Sequence, residues 1–227
     1  MVTAHPDDVD FGAAGSVARW VEEGHEVAYC IVTDGDAGGF DPAVPRSEIP
    51  AIRRAEQRAA AKVVGVEDVH FLGHPDGRLV ATLELRRDIS RVIRIVRPER
   101  VVCQSPERLW TRIYASHPDH LAAGEAALCA VYPDARNPFA HPELMEEGLE
   151  PHSVTEVLMM AAAESDVFVD ITDHIDAKIN ALLCHESQLS DPASIEGMIR
   201  GWTAATAQAG GLAEGHLAEA FRRIDTA

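Results

Sequence analysis

Residues 1–35 read MVTAHPDDVDFGAAGSVARWVEEGHEVAYCIVTDG, and this stretch decides the fold. Met1 to Ala4 is a short apolar strand. Ala14 to Glu23 places Val17, Trp20 and Val21 on one helical face, and Gly24 stops the helix. Val27 to Val32 is a near-continuous apolar run, as a strand covered on both faces requires. A loop rich in Gly, Asp and Pro then runs from Asp34 to Pro45. Strand, helix and strand in this order form the repeating unit of a parallel sheet.

The alternation continues outward. A helix is expected over Ser47 to Val64, with Ile52, Ala55, Ala59 and Val63 on one stripe, and a short strand over Val69 to Leu72. Leu85, Ile89, Val92, Ile93 and Val96 mark a second amphipathic helix, which Arg97-Pro98 ends. Val101 to Cys103 is a strand and Asp119 to Ala130 a helix; Tyr132 to Pro151 is a Pro-rich surface excursion. Strands at Glu156 to Met160 and Val167 to Ile171 precede a helix over Asp173 to Gln188 and another carrying Ile195, Met198, Ile199 and Trp202. The reading is one α/β domain over residues 1–227, a Rossmann-like, mostly parallel sheet with helices on both faces. Ligands of such sheets collect beyond the carboxyl ends of the strands, here just after Ala4, Val32, Leu72 and Cys103.

The chain has 227 residues, 46% of them apolar, and a formal net charge of −17 from 37 acidic and 20 basic side chains. That charge argues against a nucleic-acid surface, which needs a basic face. No run approaches the roughly 20 apolar residues of a membrane span, and no basic start with an apolar stretch and cleavage site opens the chain. A cytoplasmic protein is expected. Cys30, Cys103, Cys129 and Cys184 have neither metal-knuckle nor redox spacing and read as small buried hydrophobes in a reducing compartment.

Two clusters carry chemistry, both at predicted strand ends. Ala4-His5-Pro6-Asp7-Asp8-Val9-Asp10 closes the first strand, and a His and a carboxylate three residues apart on a turn can face one ion. Ser116-His117-Pro118-Asp119-His120 lies in the loop after the Val101 to Cys103 strand. Three protein ligands plus water make a catalytic zinc site, whereas a structural one would close the fourth position, usually with Cys. Two His and a carboxylate also describe iron(II) oxygenases, whose scaffold is usually an antiparallel double sheet. A polar network without metal, with Asp119 as a helix cap, is the remaining alternative on these residues alone. Gly35-Asp36-Ala37-Gly38-Gly39 lacks the spacing of a dinucleotide loop.

With Ala-His-Pro-Asp-Asp at 4–8 and His-Pro-Asp-His at 117–120, the chain resembles the PIG-L/LmbE family of zinc-dependent N-acetylglucosaminyl deacetylases. Further similar stretches are Thr33-Asp34-Gly35, Arg53-Arg54-Ala55-Glu56, Leu72-Gly73-His74-Pro75-Asp76-Gly77, Lys178 with His185-Glu186-Ser187-Gln188, and the tail Ala218-Glu219-Ala220-Phe221. The resemblance implies one zinc ion per chain on His5, Asp8 and His120. It implies Asp7 as general base, His117 as the residue assisting the tetrahedral intermediate, and Asp119 as the carboxylate orienting His117. Arg53 matches a substrate-binding arginine; Asp34 and Asp76, at the expected active face, are candidate substrate contacts beside it. The implied substrate is an acetamido sugar or conjugate, and the implied assembly a trimer or hexamer. Departures from the family pattern are Val9 where Glu is common, Ser116 before the second motif, and Ala115 where some relatives carry a tyrosine, with Tyr114 one residue further away. Asp34 and Asp36 also fit turn chemistry, Arg53 a solvated helix face, Asp76-Gly77 a turn, and His185 a structural role. A non-catalytic metal or small-molecule binding protein on the same fold is the other function kept open.

Overall fold

The computed structural model describes residues 1–227. Seven strands form one sheet: β1 (Val2–Thr3), β2 (Ala28–Thr33), β3 (Asp68–His74), β4 (Arg100–Gln104), β5 (Glu156–Met160), β6 (Val167–Asp170) and β7 (Ala218–Asp225). Their order is β3-β2-β1-β4-β5-β7-β6. The first five are parallel, and β7 enters antiparallel to both β5 and β6. One mixed sheet replaces the double sheet that an iron(II) oxygenase would have needed.

Seven helices cover it: α1 (Asp8–Glu22), α2 (Ile49–Val63), α3 (Leu83–Val96), α4 (Pro118–Cys129), α5 (Pro142–Glu146), α6 (Ile175–Leu183) and α7 (Pro192–Ala209). Alternate strand residues point to opposite faces. Val2, Cys30, Val32, Val101, Cys103, Val157 and Met159 pack in one cluster with Leu85, Ile89 and Ile93 of α3 and Ala123, Ala126 and Ala127 of α4. Tyr29 and Ile31 pack the other way, against Val9, Ala14 and Val17 of α1, Ala60 and Ala61 of α2, and Ala181 of α6. Two-sided cover explains why the strands read as unbroken apolar runs.

The sequence reading differs in four places. α1 begins at Asp8, six residues before the expected Ala14, so the first chemical motif opens the helix. The polar residues Asp8 and Asp10 hid that turn; Asp10 is buried in spite of its charge. The expected helix over Asp173 to Gln188 is a 3-10 turn, α6 and a second 3-10 turn at Glu186–Gln188. The tail Ala218 to Phe221 is part of strand β7. Its inward residues include Glu219, 4% exposed, which breaks the apolar alternation that marks a strand. Cys30 and Cys103 are buried as expected, but Cys129 and Cys184 are only partly so.

The Pro-rich excursion contains α5 and is held chiefly by arginines of α3. Arg94 of α3 is 2% exposed. Its guanidinium donates to the carbonyls of Asp134, Ala135, Asn137, Ala140 and Leu149 at 2.9–3.4 Å. Arg86 adds two 2.8 Å bonds to the Asp134 carboxylate. A rigid planar fork suits several carbonyls at once in a way an ammonium cannot. Arg94→Met is expected to lower unfolding free energy by about 3 kcal/mol, because the carbonyls are stranded away from water. Urea denaturation measures this, and an unchanged midpoint would show that they find other partners.

Candidate metal centre and its surroundings

The sheet order reverses between β1 and β4, since β1 leads outward to β2 and β3, and β4 to β5. A crevice opens beyond the carboxyl ends at such a switch point. Both motifs lie there: His5 to Asp8 follow β1, and His117 to His120 follow β4. Gly124, one turn after His120, lets α4 approach closely, because a Cβ there would meet the carbonyl oxygen of Gln104 in β4 at 2.3 Å.

Two imidazoles and one carboxylate converge. His5 Nδ1 lies 3.3 Å from His120 Nε2 and 3.3 Å from Asp8 Oδ2, and His120 Nε2 lies 3.0 Å from Asp8 Oδ1. Ligands about 2.0–2.1 Å from a tetrahedral zinc are about 3.3 Å apart, so this donor set fits such an ion. Asp8 is pinned from behind by the His5 N–H, which donates to Oδ2 at 2.7 Å. The other side of the His5 ring is also occupied. Nε2 faces Asp76 Oδ1 at 3.0 Å and Asp119 Oδ2 at 3.3 Å. Ligand atoms of His5, His117 and His120 lie within 4.8 Å of one another, as do those of His5, Asp76 and Asp119. In the second group backbone N–H groups engage both carboxylates, which lie on the Nε2 side of the His5 ring. Asp119 accepts from Gly77 at 2.6 Å and Leu79 at 3.1 Å, and Asp76 accepts from Ala37 at 3.2 Å. A carboxylate behind a ligating imidazole fixes its tautomer and raises its basicity.

The electrostatics describe a site built for positive charge. Burial works against a charged His5, yet Asp8, Asp119 and Asp76 outweigh it and push the imidazole up to about 12. Burial alone would raise Asp8, but His120 and His5 hold it well below the usual carboxylate range. Burial pushes the Asp7 carboxyl up to about 6 against the pull of Arg53. His117 is lowered, first by burial and then by its imidazole neighbours.

Asp7 caps α1 with φ 92° and ψ −27°, an unusual backbone for a residue with a Cβ. Such conformations cost about 1–3 kcal/mol and persist where the surroundings impose them. Arg53 supplies part of that constraint. It donates to Pro6 O at 2.5 Å and Asp7 Oδ2 at 2.9 Å through Nη2, and to Gly35 O at 3.3 Å through Nη1. Gly35, at φ 63°, makes room for it, since a Cβ there would meet Arg53 Nη1 at 2.1 Å. Gly35 and Gly38 therefore serve the packing of an arginine.

Several sequence expectations meet a different geometry. Arg53 is 3% exposed and lies beneath Asp7, not on a solvated helix face or at an open substrate surface. Asp76 faces His5 from within. The Asp119 carboxylate engages His5, while only its backbone N–H reaches His117, donating to Nδ1 at 3.2 Å. The reason is placement: Asp119 sits in the first turn of α4, pointing back toward the turn at Gly77 and Leu79. With Nδ1 an acceptor, neutral His117 carries its proton on Nε2. Asp34 accepts two bonds from Arg54, at 2.7 and 2.6 Å, and lines a polar cavity of about 460 Å³ with Asp36, Arg46, Ser47 and His74. Sequence reasoning assigned no role to Gln57, which is buried and accepts the Asp7 N–H at 2.8 Å. It stands one helical turn after Arg53, so reading the face that Arg53 occupies would have found it.

The family described as PIG-L, GlcNAc-PI de-N-acetylase, matches residues 1–131, which hold both motifs. The chain belongs to this family. Diacetylchitobiose deacetylase of Thermococcus kodakarensis is 34% identical over 190 residues, 84% of this chain and 69% of that protein. A Bacillus cereus protein named "Probable N-acetyl-alpha-D-glucosaminyl L-malate deacetylase 2" is 30% identical over 195 residues, 83% of this chain and 82% of its own. Among solved structures, N,N'-diacetylchitobiose deacetylase from Pyrococcus horikoshii, complexed with an inhibitor, superposes with a TM-score of 0.89 at 28% identity, covering 99% of this chain and 82% of that one.

Asp119→Ala is expected to weaken divalent-cation binding by about 10- to 100-fold while the fold is retained, because His5 loses its support. Competition with a chromogenic chelator measures this, and an unchanged affinity would remove Asp119 from the site's support.

Proposed function

We propose that this PIG-L family chain is a zinc-dependent hydrolase that removes the acetyl group from an N-acetylglucosamine-type sugar or sugar conjugate. The observation that carries the proposal is the cluster of His5, Asp8 and His120 donor atoms at 3.0–3.3 Å, with Asp7 held beside it and His117 at its exposed edge. Relatives named as deacetylases of acetamido sugars support the reaction class. When bound, zinc supplies a Lewis acid that polarises an amide carbonyl and acidifies water toward pKa ~7.

The chain's own residues do the rest. Asp7 is tied to Arg53 through Oδ2, which leaves Oδ1 to take the proton of the attacking water. Asp8 is engaged on both oxygens, by the His5 N–H and by His120, and is not free for that task. His117, with its Nε2–H, donates a hydrogen bond to the developing oxyanion, and the proton that Asp7 takes from the water passes on to the leaving nitrogen. Amide, water and the two proton transfers balance to a free amine and acetic acid, which then ionises to acetate. Arg53, Asp76 and Asp119 hold Asp7 and His5 in place. The cavity lined by Asp34 and Asp36 offers hydrogen-bonding groups to the hydroxyls of the remaining sugar or conjugate. No helix is long and apolar enough to cross a membrane, and assembly as a trimer or hexamer belongs to the same proposal.

Asp7→Asn is expected to keep the metal and lower kcat by on the order of 10²–10⁴-fold, read as acetate released from diacetylchitobiose. Wild-type-like turnover in that variant would remove Asp7 as the base. Stripping metal with a chelator should abolish acetate release and added zinc should restore it. Ligand binding without acetate release across a panel of acetamido sugars would favour a non-catalytic binding protein.

A further inference from the structure

The unusual backbone of Asp7 has a second support, which runs deep into the protein. Gln57 of α2 is 0% exposed. Its Oε1 accepts the Asp7 N–H at 2.8 Å, and its Nε2 donates to Asp10 Oδ2 at 2.8 Å. A backbone N–H can only donate and an ionised carboxylate can only accept, so one orientation of the amide satisfies both partners. The same Asp10 oxygen meets His185 Nε2 at 2.8 Å. His185 is also 0% exposed, and its Nδ1 has no partner in the protein, so its one side-chain bond is the one to Asp10. Asp7 caps α1, Asp10 lies within α1, Gln57 lies in α2, and His185 follows α6. The string therefore locks three helices to one peptide unit, that of Asp7, which stands between the donors His5 and Asp8.

We infer that Gln57 is a positioning residue for the hydrolysis, set in one amide orientation by Asp10 and His185. It fixes the Asp7 backbone and so the direction of the Asp7 carboxylate relative to Asp8 and His120. The inference rests on the reading of Asp7 as the proton acceptor. Gln57 touches neither substrate nor the candidate ligands; it acts only through Asp7. Misplacing a reacting group by about 1 Å costs on the order of 10²-fold in rate.

The test is Gln57→Met, which keeps the side-chain volume and removes both bonds. In the zinc-loaded enzyme, kcat for acetate release from diacetylchitobiose should fall about 10- to 100-fold, with KM and bound zinc near wild type. In Asp7→Asn/Gln57→Met, the residual rate should be no lower than in Asp7→Asn alone, since Gln57 then has no base to direct. An unchanged kcat in Gln57→Met, or losses that multiply in the double variant, would overturn the inference. Should Gln57→Met not fold, Gln57→Asn keeps the amide one methylene short. A wild-type kcat there overturns the inference, and a loss confined to kcat supports it. The two readings fail separately. Wild-type turnover in Asp7→Asn removes the base itself, whereas an inactive Asp7→Asn beside a fully active Gln57→Met removes only the role of Gln57.

Discussion

Three carboxylates converge on one imidazole. Asp8 lies against Nδ1 of His5, and Asp76 and Asp119 lie against Nε2, all within 3.3 Å. Isolated negative charges are not gathered in a half-buried crevice without something to balance them. A protonated His5 does so in the protein alone, and a divalent cation held with His120 would do so while His5 returns to its neutral form. Much of the surrounding architecture follows from this requirement. The turn at Gly77 and Leu79 lends its N–H groups to Asp119, and the loop after β2 lends that of Ala37 to Asp76. The termini of β1, β2, β3 and β4 are drawn together around one ring.

The sequence exposed a large share of this. The buried parallel strands were legible because cover on both faces leaves an unbroken apolar run, as in Val27 to Val32. The two motifs were legible because ligand-forming residues cluster within a few positions of each other. Their meeting followed from the strand order, which repeated β-α units imply without stating. What stayed hidden was held by burial of charge. Asp10, Lys178 and Glu219 are all at most 4% exposed, although a pattern reading assigns such residues to the surface. The β7 strand went unread for that reason, and Arg53 was left between a surface face and a substrate contact when it belongs under Asp7. Partners far apart in sequence, such as Asp10 and His185, leave no local signature at all.

The supporting shell is as specific as the donor set. Asp7 and Asp8 are chemically identical neighbours, yet their surroundings separate them. Both oxygens of Asp8 are engaged beside the imidazoles, whereas Asp7 is bonded on one oxygen by Arg53 and turned by an unusual φ. In the proposed mechanism the division of labour between these adjacent carboxylates is set from α2, through Arg53 and Gln57, and not by the motif itself. A search confined to the motif would see two aspartates and could not say which does what.

Lys178 donates to the carbonyls of Asp10 and Phe11 in α1 and to Glu219, and Glu219 in turn accepts from the N–H groups of Gly15 and Ser16. Glu219 stands 204 positions from Gly15 along the chain, in a strand that must slot between β5 and β6. The helix that opens with Asp8 is therefore secured by residues made long after it. Pairings of such long range are slow to form, because loop closure precedes any gain from the contact. During synthesis on the ribosome, the nascent chain can assemble β1 to β5 early, but the first helix waits for its final anchor. Competence of the site is thereby tied to a strand far along the chain from the motif it supports.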